Sequence, residues 1–314
     1  AVAGRRSRPV TAPAERIGSA AVKPPPFDYA APATVEEATD LLREHGEDAR
    51  PLAGGQSLIP LMSLRLARPS VLVDLAGVDS LTAIAAHDGG VSIGAMVRER
   101  AAERSDLVSQ RAPLLTAALP LIGHPAIRSR GTIGGSLAHA DPSAELPAVA
   151  VALDAELVAR SSDRGERVIP AADFFTGYFT TALEPDEVLT EVRLPAPGPR
   201  TGAAFEEAAR RHGDFATVGV AAVVQLADGG GSVAGARIVL TGVSDTPVRA
   251  AGAEAALNGA APGEQAWAEA AGLATADLSP PADLHGTSAY RRHVAGVLIR
   301  RALAAAADRA RAAE

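Results

Sequence analysis

Two short glycine-rich segments constrain this chain more than any other feature. Ala53-Gly54-Gly55-Gln56-Ser57-Leu58 lies between a strand-like run and an apolar helical run. Gly131-Thr132-Ile133-Gly134-Gly135-Ser136 is followed by Leu137-Ala138-His139-Ala140-Asp141-Pro142. Paired glycines admit positive φ and remove the Cβ atoms that would keep a ligand from the main chain. Successive amides can then converge on an anion, and a helix start adds partial positive charge. Gln56, Ser57, Thr132 and Ser136 add hydrogen-bonding groups. The chemistry suits a pyrophosphate. Neither segment is a Walker A loop, because no Gly-Lys-Ser/Thr follows, and neither has Gly-x-Gly-x-x-Gly spacing. Singly, each reads more readily as a tight turn. In tandem they suggest one phosphate group gripped from two sides.

Composition narrows the remaining classes. The net charge of the 314 residues is −7 and aromatics are 3%, so there is neither a basic field nor a set of stacking platforms for nucleic acid. Cysteine is absent, which excludes disulfides, thiolate zinc sites, a cysteine nucleophile and thiolate-held iron–sulfur clusters. It also fits a reducing compartment. No stretch is long and apolar enough to span a bilayer. Residues 1–22, with four Arg and one Glu, are expected to form a disordered tail. Patterned sequence begins abruptly at Lys23, which motivates the alternative that translation starts at Val22.

Thr34 with Glu37 makes a capping box for a helix whose apolar face is Val35, Ala38, Leu41 and Leu42, stopped at Gly46. Strands are expected at 50–53, 71–75, 91–97, 156–160 and 187–194, and helices at 58–66 and 101–120. Pro195, Pro197, Gly198 and Pro199 mark a domain boundary. Beyond it, runs at 215–227 and 235–243 joined through Gly229-Gly230-Gly231 read as a hairpin, and a last helix begins near Ser288. The pattern is that of an α+β protein.

These landmarks resemble a known family. Pro24-Pro25-Pro26-Phe27-Asp28-Tyr29, the two glycine motifs, Asp214-Phe215-Ala216 through Val218-Gly219-Val220-Ala221-Ala222, and Tyr290-Arg291-Arg292 occur in family order. The set resembles the FAD-binding medium subunit of molybdenum hydroxylases of the carbon monoxide dehydrogenase and xanthine dehydrogenase type, from about Lys23 to about Ala305. The resemblance implies an oxidoreductase subunit. Its fold would be a two-subdomain, PCMH-like FAD domain over 23–197, with a break near 75–80, followed by a C-terminal α+β domain over 198–314. It implies FAD here, and molybdopterin and two [2Fe–2S] clusters in a large and a small partner subunit. The assembly would be a cytoplasmic dimer of heterotrimers, at most peripheral to the membrane. Electrons would pass from the clusters to FAD and on to an external acceptor. A stand-alone flavin oxidoreductase of the same fold is the alternative, disfavoured by the C-terminal motifs.

Carried over residue by residue, Ala53, Gly54, Gly55, Gln56, Ser57 and Leu58 would cover the FAD phosphates. Thr132, Ile133, Gly134, Gly135 and Ser136 would complete the phosphate and flavin site. Ile122 and Leu189 match apolar neighbours of FAD, and Glu145 matches an acidic contact. Some xanthine dehydrogenases have a flavin-side Lys where this chain has Glu206, and a negative group there would disfavour the anionic reduced flavin. No nucleophile–base pair is expected. His45, His87, His212, His285 and His293 show no metal-ligand spacing. His124, His139, Asp141-Pro142 and Asp214 are read as flavin-side or loop-bounding groups, Tyr178 and Phe179 as core, and the Arg pairs at 210–211, 291–292 and 300–301 as solvated faces.

Overall fold

The structure is a computed structural model that describes residues 23–313; the expected tail lies outside the described residues. The first unit holds β1 (Asp28–Ala30), α1 (Val35–His45), β2 (Ala49–Leu52), α2 (Leu58–Ser63) and β3 (Val71–Asp74), its strands parallel in the order β1-β3-β2. Thr34 Oγ1 accepts from the Glu37 amide at 3.2 Å, and the Glu37 carboxylate accepts from the Ala33 amide at 2.8 Å. This capping box starts α1, which turns Val35, Ala38 and Leu42 onto Val71, Val73 and Leu75.

The second unit begins with the hairpin β4 (Ile84–His87) and β5 (Gly90–Gly94). The helix expected over 101–120 is three helices, α3 (Glu99–Glu103), α4 (Asp106–Arg111) and α5 (Pro113–Ala118). Ser105 accepts from the Val108 amide and starts α4; Pro113, lacking an N–H, can only open α5. α6 (Pro125–Arg128), α7 (Ile133–His139) and α8 (Glu145–Ala152) follow. Then come β6 (Glu156–Ser161), β7 (Gly165–Pro170), α9 (Ala171–Phe174), β8 (Phe175–Gly177), β9 (Thr180–Thr181) and β10 (Val188–Leu194). The main sheet runs β4-β5-β10-β6-β7, antiparallel throughout.

The last unit pairs β11 (Thr201–Ala208), β12 (Val218–Leu226), β13 (Val233–Thr241) and β14 (Val248–Arg249) antiparallel, and adds α10 (Ala251–Leu257), α11 (Glu264–Ala276) and α12 (Ser288–Ala312). Alternation gives this sheet two apolar faces. Ala203, Phe205, Ala221, Val223 and Val239 enter the core of the second unit, while Ala204, Val220, Ala222 and Val224 pack with Leu298, Ala302 and Ala306 of α12. Helix α8, buried along its whole length, lies against α5, α7 and strands β12 and β13.

Two expectations about single residues are corrected. Tyr178 and Phe179 are not core: they are 65% and 43% exposed, on the turn between β8 and β9. Arg291 is not a solvated face. It is buried near the start of α12, where its guanidinium donates to the carbonyls of Thr217 and Gly242 and to Asp283.

Candidate flavin cleft

The two glycine segments meet. A Cβ on Gly54 would collide with the carbonyl of Arg130, next to Gly131, and one on Gly135 would lie 3.1 Å from Ala53 Cβ. A Cβ on Gly134 would strike Ala95, just after β5. The glycines at 54 and 134 therefore serve close packing of backbone on backbone. This corrects the expectation that missing side chains simply leave room for a ligand.

The two segments also differ in what their amides are free to do. The Ile133 and Gly134 amides donate to the carbonyls of Val97 and Ala95, the Gly135 amide to Thr132 Oγ1 at 3.0 Å, and the Ser136 amide to the Thr132 carbonyl. Every amide from 133 to 136 is thus committed within the protein. By contrast, the amides of Gly54, Gly55, Gln56 and Ser57 have no acceptor among the described residues. Gly55 adopts φ +72°, and the Ser57 side chain makes no capping bond to α2. The free amide donors at the junction thus belong to the first segment, while the amides of the second are spent bracing it. The helices that follow have only six and seven residues, so the expected helix-start contribution is small.

Around this junction lies a cleft of about 810 Å³, of the size usual for ligand and cofactor sites. Of the fourteen residues expected to touch the cofactor, Ala53, Gly54, Gly55, Gln56, Ser57, Leu58, Ile122, Thr132, Gly134, Gly135, Ser136, Glu145 and Leu189 line it. Ile133 does not; it is buried in the core behind. His139, Asp141 and Asp214 also line the cleft, with Phe179 and Phe215. His124 instead lies beside His212, ring centroids 6.1 Å apart and planes tilted by 56°.

Local chemistry holds these walls in place. Buried Arg128 on α6 donates to Glu103 at 2.9 Å and to the Ile122 carbonyl at 2.8 Å, fixing the turn that presents Ile122. The buried Thr241 hydroxyl reaches the carbonyls of Pro142 and Ala144 at 2.7 and 3.0 Å, and the Gly242 amide donates to Pro142 at 2.8 Å. The C-terminal sheet thereby clamps the segment between Asp141 and Glu145.

The lining mixes buried acids, Glu99, Asp141 and Glu145, with the cation Arg50 and with Glu187, which burial would raise but bonds from Arg167 lower; Glu207 lies behind the wall. Burial pushes the Glu145 carboxyl up to about 8 and those of Glu99 and Glu207 up to about 7, and also raises Asp141. Burial lowers His139. At Glu99 and Glu145 a phosphate would therefore meet acids that burial keeps protonated to higher pH than an ordinary carboxylate. Strand alternation also corrects the expectation for Glu206. Glu207 shares its face of β11 with Ala203 and Phe205 and acts electrostatically on Glu145; Glu206 lies on the opposite face with Ala204 and Ala208. Glu99 and Glu207 were invisible to motif reading, since no spacing distinguishes them from surface glutamates.

Among the described residues there is no group of side chains arranged to hold a metal, and no helix is long and apolar enough to cross a membrane. What the residues do fit is a dinucleotide: among the described residues, four amides and the Ser57 hydroxyl without protein partners, beside buried acids, on a cleft of about 810 Å³.

Comparison with known proteins agrees. Residues 25–197 match the family described as the FAD binding domain in molybdopterin dehydrogenase, and residues 203–306 match the CO dehydrogenase flavoprotein C-terminal domain. The chain is 43% identical to the 6-hydroxypseudooxynicotine dehydrogenase complex subunit alpha of Paenarthrobacter nicotinovorans, over 92% of this chain and 97% of that protein. It is 42% identical to the carbon monoxide dehydrogenase medium chain of Hydrogenophaga pseudoflava, over 90% and 98%. A solved carbon monoxide dehydrogenase from Hydrogenophaga pseudoflava superposes with a TM-score of 0.88 at 44% identity, covering 91% of this chain and 99% of that one. The chain belongs to the FAD-binding medium-subunit family of the molybdenum hydroxylases and is an oxidoreductase subunit.

Proposed function

We propose that this chain holds FAD as the medium subunit of a molybdenum hydroxylase, with residues 23–197 as the flavin domain and 198–314 as the C-terminal domain. Its partners are a molybdopterin-containing large subunit and a small subunit with [2Fe–2S] clusters, in a dimer of heterotrimers. FAD bound here would supply the redox chemistry that links the partner's clusters to an external acceptor. The observation that carries the reading is the junction of the two glycine segments, where four amides without acceptors among the described residues line the cleft. Ala53, Gly54, Gly55, Gln56, Ser57 and Leu58 grip the dinucleotide; Thr132, Gly134, Gly135 and Ser136 support that grip; Ile122, Glu145 and Leu189 line it. Ile133 acts from behind as core.

Exposed apolar side chains at the cleft, Leu66, Phe179 and Phe215, support a surface that a partner covers. The lack of cysteine supports a cytoplasmic assembly whose clusters lie in another chain. The test is isolation of the assembly from its native cells through a tag on this chain. The expected product carries one FAD per chain, with iron and molybdenum in co-purifying subunits. FAD with neither metal and no partner chain would instead support a stand-alone flavoprotein, and absence of FAD would overturn both readings.

A further inference from the structure

We propose that Glu99 is a binding residue for the flavin dinucleotide, its carboxyl O–H donating a hydrogen bond from the cleft wall to an acceptor oxygen of the cofactor. The inference rests on the flavin reading above and adds to it a residue that no glycine motif contains.

Glu99 opens α3 and is 4% exposed, yet it lines the cleft. Its amide donates to the Gly131 carbonyl at 3.0 Å, which ties it to the second glycine segment. The carboxyl lies over Gly131: a Cβ there would come within 2.6 Å of Oε2. Gly131 in turn adjoins the place where Gly54 packs on Arg130. Glu99 thus stands at the junction of the two segments, not at the cleft's far end.

Oε2 is buried with no hydrogen-bond partner among the described residues. A carboxylate oxygen left so would be costly; the carbonyl oxygen of a neutral acid costs far less. With Oε2 as that carbonyl oxygen, the proposal puts the proton on Oε1, for donation into the cleft that the residue lines. A neutral acid donates where a carboxylate can only accept, so it suits the oxygens of a phosphate-bearing ligand. Burial raises the group to about 7. The charges around it pull both ways. Arg128 on α6 lowers it, and Glu145 on α8 is a like charge when ionised. Glu103 on α3 is taken up by Arg128 and Arg100, and Arg98 by the Arg130 carbonyl. Asp106 and Arg111 of α4 are exposed to solvent, and the turn at Leu119–Leu121 brings no titratable group.

The test is calorimetric titration of the deflavinated full chain with FAD, between pH 6 and 9 and in buffers of different ionisation enthalpy. Wild type should take up protons on binding near pH 8. Its Kd should weaken roughly tenfold per pH unit once Glu99 ionises in the free protein. E99Q, a neutral donor of the same shape, should bind within about threefold of wild type at pH 6, with a shallower pH slope and less proton uptake. E99A should bind more weakly at every pH. E145Q and E207Q, measured in parallel, should remove other parts of the slope and leave the Glu99 part. If wild type takes up no protons, or E99Q keeps the whole slope and uptake, the inference is overturned while FAD binding stands. If wild type binds no FAD at any pH, the flavin reading itself fails. Proton uptake by wild type needs no variant, so a substitution that fails to fold does not remove the test.

Discussion

At the scale of single residues, the site is defined by where side chains are absent and where protons are retained. Gly54 admits no Cβ because the Arg130 carbonyl occupies that space. G54A should therefore force the segments apart, lower stability by about 1–3 kcal/mol and reduce bound flavin. Thermal unfolding and the flavin-to-protein absorbance ratio would check both. G252A is the control: a Cβ at Gly252 in α10 meets nothing, so it should leave bound flavin unchanged and hold or raise stability. Reading the sequence found both glycine segments because paired glycines beside apolar runs are rare punctuation. It assigned them the wrong division of labour, because nothing in Thr132-Ile133-Gly134-Gly135-Ser136 shows that its amides bond inward. It also missed Glu99, whose meaning comes from burial beneath Gly131, a contact between segments distant in sequence.

Elements place those residues, and two contacts between elements matter most. Arg128 on α6 joins Glu103 on α3 to the turn that carries Ile122. R128M would take the donor from the Ile122 and Gly123 carbonyls and leave Glu103 to Arg100 alone, costing roughly 2–3 kcal/mol. Chemical denaturation should show that loss, and FAD should bind more weakly because the turn at Ile122–Gly123 lines the cleft. The second contact is Thr241 on β13, holding the segment before α8. T241V should cost about 1–2 kcal/mol by denaturation. Helix α1 was legible because its cap, apolar spacing and stop all agree locally. Helices α3, α4 and α5 were read as one because their apolar positions run on, while a serine cap and Pro113 cut the ladder. Strand β11 went unread: Thr201-Gly202-Ala203-Ala204-Phe205 has small residues on both faces, since it is covered by α12 on one side and the second unit on the other.

For the molecule as a whole, buried neutral acids link stability to pH. The folded values of Glu99, Glu145 and Glu207 lie above the ordinary carboxylate range, so the folded state binds more protons than the unfolded one between about pH 4.5 and 8. Their stabilising contribution is complete below about 4.5 and is lost as pH rises through 7 to 8. The melting temperature of the flavin-free chain should accordingly fall from pH 5 to pH 8.5, and a triple Gln variant should flatten that fall. Differential scanning calorimetry would show it.

The central claim is that the amides from Gly54 to Ser57 grip the dinucleotide, with the second glycine segment as a support already bonded within the protein. Hydrogen–deuterium exchange of the full chain, with and without FAD, reads those amides directly. The account predicts protection of about tenfold or more on adding FAD at 54–57, with little change at 133–136. Unchanged exchange at 54–57, or protection confined to 133–136, would contradict it.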